Sequence, residues 1–196
     1  MKVLLLNGSP HAEGCTYTAL SEVAKALTEN GVEAEIVQIG KNPVRGCVAC
    51  GGCAGKGKCV FSDDGVNEFI EKMKGADGLV VGSPVYYASA NGTVECFLDR
   101  AFYAGGSAFV HKPAAAVASA RRAGTTATLD DLLKYFTISQ MPVVSSTYWP
   151  MGHGKTPEDV QKDEEGLQTM RNLGRNMAYL LKCMEAGKAA GILPPE

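Results

Sequence analysis

Four cysteines crowd into one glycine-rich run. Cys47, Cys50, Cys53 and Cys59 stand in Arg45-Gly-Cys-Val-Ala-Cys-Gly-Gly-Cys-Ala-Gly-Lys-Gly-Lys-Cys. Three thiols spaced by two residues, then a fourth after five more, can converge on one cuboidal 4Fe–4S cluster, around which glycines let the backbone fold tightly. Zinc sites more often use two separated pairs, which ranks zinc below iron–sulfur. A Cys–Cys redox switch and four plain reduced thiols fit the same letters and stay open. A disulfide framework fits poorly: the opening Met-Lys-Val-Leu-Leu-Leu is too short an apolar run for a signal-peptide core, and the cysteines number seven, an odd count. Reduced thiols in a cytoplasm are the expected setting.

Three further stretches carry binding chemistry. The first is Asn7-Gly-Ser-Pro-His-Ala-Glu-Gly-Cys-Thr16, leading from an apolar run into a helical period. Glycines and small hydroxyl residues at a helix N-terminus supply N–H and O–H donors for a phosphate. No lysine lies within it, so one terminal phosphate suits it better than a pyrophosphate or a nucleoside triphosphate. The plainer alternative is a tight turn with Thr16 as the helix cap. The second stretch, Ser83-Pro-Val-Tyr-Tyr-Ala-Ser-Ala-Asn-Gly92, sets two tyrosines beside a proline. Such a group can wall a planar aromatic ligand while loop amides reach its heteroatoms, or the rings can simply pack beneath the loop. The third, Ser119-Ala-Arg-Arg-Ala-Gly124, offers Arg121 and Arg122 to neutralise an anionic ligand, although both equally suit a solvated face, and Gly124 suits close backbone approach.

These loops need a scaffold, and the pattern of the chain supplies one. Apolar runs at 3–6, 34–39, 79–81, 114–118 and 143–145 read as strands, several nearly all apolar, as strands of a buried parallel sheet should be. Between them come helical stripes: Leu20, Val23, Ala24 and Leu27; Val66, Phe69, Ile70 and Met73; Val94, Phe97, Leu98 and Ala101; Leu129, Leu132, Leu133 and Phe136. A last long helix is expected after Thr156-Pro157, with Leu167, Met170, Leu173, Met177 and Leu181 inward. Five βα units give a doubly wound α/β domain spanning 1–186, with 187–196 as a frayed tail. In such sheets ligands bind beyond the carboxyl ends of the strands, so the three loops should meet at one edge. Strand two belongs to the same parallel sheet, so the cysteine run after it should leave the same edge. Tyr148-Trp-Pro-Met-Gly-His-Gly154 is expected to follow strand five, as a cover or as packing. Asp63-Asp64 reads as helix-cap chemistry, His111 as a surface residue, and Cys96 and Cys183 as small apolar groups in helical stripes. Acidic residues number 21 against 19 basic, with no basic block, which argues against nucleic acid and anionic membranes as partners. No stretch approaches a membrane span, and no Ser-His-Asp order or carboxylate pair suggests hydrolysis.

Gly8-Ser-Pro with Gly14-x-Thr16, Ser83-Pro-Val-Tyr86 and Leu98-Asp-Arg100 together resemble the flavodoxin-like NAD(P)H-dependent FMN reductase family. The cysteine run resembles its iron–sulfur flavoprotein branch. The likeness spans nearly the whole chain. That family usually carries asparagine where Cys15 stands, often arginine where His11 stands and lysine where Glu95 stands, and glycines where the third loop has arginines. The resemblance implies a five-stranded parallel sheet of order 2-1-3-4-5 and non-covalent FMN. Its phosphate would lie at Ser9, His11, Cys15 and Thr16, and its ring against Ser83, Pro84, Val85, Tyr86, Tyr87 and Asn91, with Ser119, Arg121, Arg122 and Gly124 beside it. It further implies hydride transfer from NAD(P)H to the flavin, onward passage to a small-molecule or protein acceptor, and a homodimer or homotetramer. The flavin carries the chemistry, so no side chain need act as catalytic acid or base. The exposed apolar run 101–104 with Phe109 is the expected contact between copies, or else closes the core. The rival reading is a flavodoxin-like electron carrier between proteins, although the near-neutral charge favours the enzyme.

Overall fold

The computed structural model describes residues 1–195. Five parallel strand positions form a sheet with helices on both faces. The strands are β1 (Lys2–Asn7), β2 (Glu33–Gln38), β3 (Gly78–Tyr86), β5 (Ala114–Ala120) and β6 (Met151–His153), in the order β2-β1-β3-β5-β6. This is the expected 2-1-3-4-5 order once a two-residue antiparallel strand, β4 (Ser89–Ala90), is set aside as the return arm of a hairpin on β3. The helices are α1 (Cys15–Glu29), α2 (Val66–Lys74), α3 (Gly92–Gly105), α4 (Thr125–Ile138), the one-turn α5 (Pro157–Val160) and α6 (Glu164–Ala189).

Alternation along the central strands divides the interior into two layers. Leu4, Leu6, Leu79 and Val81 face α2, α3 and α4 and pack with Phe69, Phe97, Leu132 and Phe136. Val3, Leu5 and Val80 face α1 and α6, against Leu20, Val23, Leu173 and Met177. α1 and α6 approach closely at Gly174, where a Cβ would stand 2.7 Å from Ala26 Cβ and from the Val23 carbonyl. Burying both sheet faces makes the central strands almost uniformly apolar, which is why they are readable as runs.

Several local expectations give way. The run 143–145 makes only an isolated bridge, Val143 to Ala114, and the paired edge strand is β6 instead. Residues 146–150 therefore interrupt the edge rather than follow it, and Met151–His153 belong to the sheet. Tyr148 and Trp149 are exposed and pack edge-to-face at 5.0 Å. Pro157 opens only the single turn of α5, through a reciprocal Thr156–Asp159 capping box. The long helix begins at Glu164, where Asp163 caps Gly166 N–H. It continues through Ala189, so residues 187–189 are helical rather than tail. Gly65, not Asp63 or Asp64, is the N-cap of α2. Phe109 is fully buried and stacks on Phe102 at 4.1 Å, so these rings close the core; of that run, Tyr103 stands 73% exposed. Cys183 is exposed, and His111 is half-buried with Nε2 3.1 Å from the Pro195 carbonyl. No helix among the described residues is long and apolar enough to cross a membrane.

Candidate functional site

The first loop is braced from below by two strand-end amides in register, Asn7 and Gln38. Asn7 Nδ2 donates to Gln38 Oε1 at 2.5 Å and to the carbonyls of His11 and Ala12 at 3.4 and 3.3 Å; its Oδ1 accepts Ser9 N–H at 3.2 Å. Gln38 Nε2 donates to the Ser9 carbonyl at 2.6 Å, and Ser9 Oγ accepts His11 N–H at 3.1 Å. The carbonyls on the inner side of the loop are thus engaged. Beyond it α1 starts with Gly14 as N-cap, extended at φ −87°, with no capping side chain and no acidic residue in the first turn. α2 and α4 likewise begin at glycines without a capping side chain, whereas α3, α5 and α6 are capped by the side chains of Asn91, Thr156 and Asp163. A helix N-terminus with unclaimed N–H donors and a positive dipole end suits an anion. Lys41 and Lys155 line the cleft outside this loop with His11 and Glu13.

The other two loops lock onto the first. Gly8 N–H donates to the Gly82 carbonyl at 2.8 Å, and Asn91 Nδ2 donates to the Gly8 carbonyl at 3.0 Å. A Cβ on Gly8 would sit 2.7 Å from that Gly82 oxygen, so only glycine permits the approach. Thr16 does not cap α1; its hydroxyl lies 2.7 Å from Ser119 Oγ, both buried, tying the first loop to the third. Cys15 Sγ points to the Gly154 carbonyl at 3.8 Å, and burial pushes its thiol pKa up. Ser83 Oγ accepts Asn91 N–H at 2.9 Å and donates to the Pro84 carbonyl at 2.8 Å; Asn91 Oδ1 accepts Thr93 N–H at 3.0 Å. Ser83 and Asn91 are thereby occupied holding the frame.

The second loop is a two-residue hairpin whose turn positions, Tyr87 and Ala88, adopt φ of +50° and +61°. Positive φ at two non-glycine residues is strained, and such turns ordinarily use Asn-Gly. The turn leaves Tyr87 fully exposed and Tyr86 46% exposed beside half-buried Pro84 and Val85. Gly124, the N-cap of α4 at φ +92°, lies against the hairpin: a Cβ there would be 2.6 Å from Ala88 Cα and 2.9 Å from Val85 Cγ1. Arg121 and Arg122 are exposed next to it. Under the hairpin lies an acidic group to which sequence reasoning assigned no role. Ser89 Oγ donates to Asp131 at 2.6 Å and sits 3.5 Å from Glu95. The Ser89 hydrogen bond holds the Asp131 pKa down; burial, then Asp131 and Asp99, push Glu95 up.

The four cysteines line one cleft with Phe61, Arg100 and Tyr103. All are free. Left-handed backbone at Ala49, Gly51, Gly55 and Gly57 curls the run around it, and a Cβ on Gly52 would meet Val60 at 2.6 Å. Among the described residues no three His, Cys, Asp or Glu side chains are drawn together as ligands for one ion. All four cysteines nevertheless border this one cleft, matching in number and kind the donors that a four-cysteine cluster would take. The chain leaves β2 at the same edge as the first loop, Ile39 N–H donating to the Asn7 carbonyl at 3.2 Å, as expected for the cysteine run. The run descends along α3 to Arg100 and Tyr103, which stand roughly 14 and 18 Å of helical rise from Asn91.

A parallel sheet of this order with helices on both faces defines a flavodoxin-like fold, and its carboxyl edge carries an uncapped helix N-terminus and two adjacent exposed tyrosines. The chain belongs to the NADPH-dependent FMN reductase family, whose model matches residues 1–156. It is similar to two iron–sulfur flavoproteins of Methanocaldococcus jannaschii. One is 35% identical over 94% of this chain and 100% of the relative, the other 29% identical over 93% and 98%. Among solved structures it is similar in fold to a WrbA-like flavodoxin of Agrobacterium tumefaciens, with a TM-score of 0.66 at 18% identity over 93% of this chain and 97% of that one. It is a flavin oxidoreductase by family.

Proposed function

We propose that this chain is an NAD(P)H-dependent FMN oxidoreductase that also holds a 4Fe–4S cluster. The observation that carries the flavin reading is the uncapped N-terminus of α1, held open at the carboxyl edge by Asn7 and Gln38. The amides at the start of α1, those of Cys15 and Thr16 among them, bind the phosphate, Cys15 contributing backbone rather than the side chain usual in the family; the Ser9 and His11 N–H groups already donate to Asn7 Oδ1 and Ser9 Oγ and shape the loop around it. Pro84, Val85, Tyr86 and Tyr87 wall the ring, and Gly124 brings the third loop close. Ser83, Asn91 and Ser119 act beneath, fixing the loops, while Arg121 and Arg122 offer positive charge at the rim. Bound FMN supplies hydride acceptance from a nicotinamide and electron release to an acceptor. Cys47, Cys50, Cys53 and Cys59 would hold the cluster, which supplies one-electron transfer. The seven free thiols suit a reducing compartment such as the cytoplasm.

The chain reaches its cysteine cleft well below its own tyrosines, which favours electron exchange across a contact between copies. Val48, Val60 and Tyr103 stand exposed near that cleft, giving such a contact an apolar surface. Four measurements test the whole reading. Anaerobically purified protein should carry FMN, iron and acid-labile sulfide. NADPH or NADH should bleach the flavin rapidly; inertness would leave the electron-carrier reading instead. Cys50→Ser should lose iron and sulfide while FMN stays bound, and protein lacking iron even after reconstitution would remove the cluster. A monomeric mass by light scattering would remove the contact between copies.

A further inference from the structure

Arg100 is the largest fully buried side chain among the described residues, at 1% exposure, in a helix face shared with Phe97, Leu98 and Ala101. A buried guanidinium is costly unless every N–H is used, and its acceptors here all come from the cysteine run and its flanks. Nη1 donates to the Asp64 carboxylate and, at 3.3 Å, to the Arg45 carbonyl before the run; Nη2 donates to the Phe61 carbonyl after it at 2.8 Å. Nε donates to Cys59 Sγ at 3.3 Å. Cys59 is fixed from the other side as well, its N–H and carbonyl both bonded to the Asn67 amide at 2.8 and 2.9 Å. Among the described residues no such donor reaches the other three sulfurs, and Cys47 and Cys50 are exposed. Arg100 and Asp64 cancel in net charge, but the positive partner faces the sulfur. Asp64 Oδ1 finds no partner among the described residues, so the pair is held in place at a cost to stability.

We propose that Arg100 is a positioning residue that sets the reduction potential of the cysteine site through its hydrogen bond to Cys59. The inference rests on the iron–sulfur reading above. Reduction adds one electron, with no bond formed or broken at Arg100. The added negative charge spreads onto the cluster's sulfurs, and a charge-assisted donor at one of them stabilises the reduced state more than the oxidised one. Cys59 is therefore the ligand at which the protein raises the potential. Because the donor hangs from α3 and not from the loop, it stays in place whatever the exposed half of the loop does.

The test uses the full chain, loaded with FMN and reconstituted anaerobically with iron and sulfide. Cluster and flavin potentials are both read by dithionite titration, the cluster by electron paramagnetic resonance. Arg100→Met combined with Asp64→Asn removes the donor at unchanged net charge and leaves no unpaired buried carboxylate. Arg100→Lys keeps a cation that cannot span four acceptors. In the double variant the reduction equilibrium of the cluster should fall by at least about tenfold, or about 59 mV for one electron. Arg100→Lys should fall less, and the flavin potential should hold in both. A cluster potential unchanged or raised overturns the inference and leaves the iron–sulfur reading standing. If the double variant retains no iron, Arg100→Lys decides alone: a lower potential supports the inference, and the wild-type value overturns it. Wild-type protein that retains neither iron nor sulfide overturns the reading itself, and this inference with it.

Discussion

Replacing Gly124 by alanine should uncouple the third loop from the tyrosine hairpin, and a second glycine separates the two causes of the damage. Gly124 has φ +92° and would place its new methyl 2.6 Å from Ala88 Cα and 2.9 Å from Val85 Cγ1. Gly31, in the turn before β2 at the far edge of the sheet, has φ +76° and nothing within 4 Å of the place a methyl would take. Both alanines incur left-handed backbone strain of about 1–2 kcal/mol. Only Gly124→Ala adds the overlap, about 1–3 kcal/mol, because the nearest atom is backbone and cannot rotate away. Gly31→Ala should therefore cost about 1–2 kcal/mol in urea unfolding, and Gly124→Ala about 2–5 kcal/mol. The structure can relieve the overlap by swinging the hairpin, which moves Tyr86 and Tyr87 off the ligand. FMN affinity, followed by quenching of flavin fluorescence, should drop at least about tenfold in Gly124→Ala and hold in Gly31→Ala. Equal stability losses in the two variants, with equal FMN affinity, would refute the packing of Gly124 on the hairpin as the element that sets the wall.

Thr16→Val should cost about 1–3 kcal/mol by leaving Ser119 Oγ buried without its partner, and adding Ser119→Ala should restore most of it. Urea unfolding checks this, and a double variant no better than the single one contradicts the pairing. Tyr87→Ala should leave thermal stability unchanged, since the ring is fully exposed, yet weaken FMN; unchanged affinity removes Tyr87 from the wall. Glu95 has its folded pKa raised above the ordinary value of 4.5, by burial first and then by Asp131 and Asp99. Its neutral form therefore favours folding fully below that value, and the benefit is lost as pH rises through the folded pKa. Glu95→Gln should accordingly stabilise the protein near neutral pH and lose that advantage in acid, read as urea midpoints across the range; a gain independent of pH would contradict it.

What the letters disclosed tracks how local each cause was. β1, β3 and β5 are legible because both faces are buried, which forces long apolar stretches such as Val3 to Leu6 whatever the neighbours are. The edge is different. The run 143–145 has the composition of a strand and makes one bridge, whereas Met151-Gly-His153 has no strand pattern and is paired only because Ala118–Ala120 offer it a partner. The hairpin was equally silent, since Tyr87-Ala88 carries none of the glycine or asparagine that announces such a turn. Of the candidate site, the most legible part is the part made of backbone: a helix beginning after small residues brings its free amides with it. Side-chain roles were least legible wherever one letter serves two purposes. Thr16 and Asp64 both stand where a helix cap belongs. Each is instead spent on a partner far along the chain, Ser119 and Arg100, and the caps fall to Gly14 and Gly65. A cap needs only its own helix, but a buried hydroxyl or carboxylate must find a partner anywhere in the fold or remain unsatisfied. The one written clue to the second pairing was Arg100 itself, a charge set among Phe97, Leu98 and Ala101 on a face that had to be buried. An arginine in that position demands an acidic partner and several carbonyls, and the cysteine run with its flanks was the nearby stretch with enough irregular backbone to supply them.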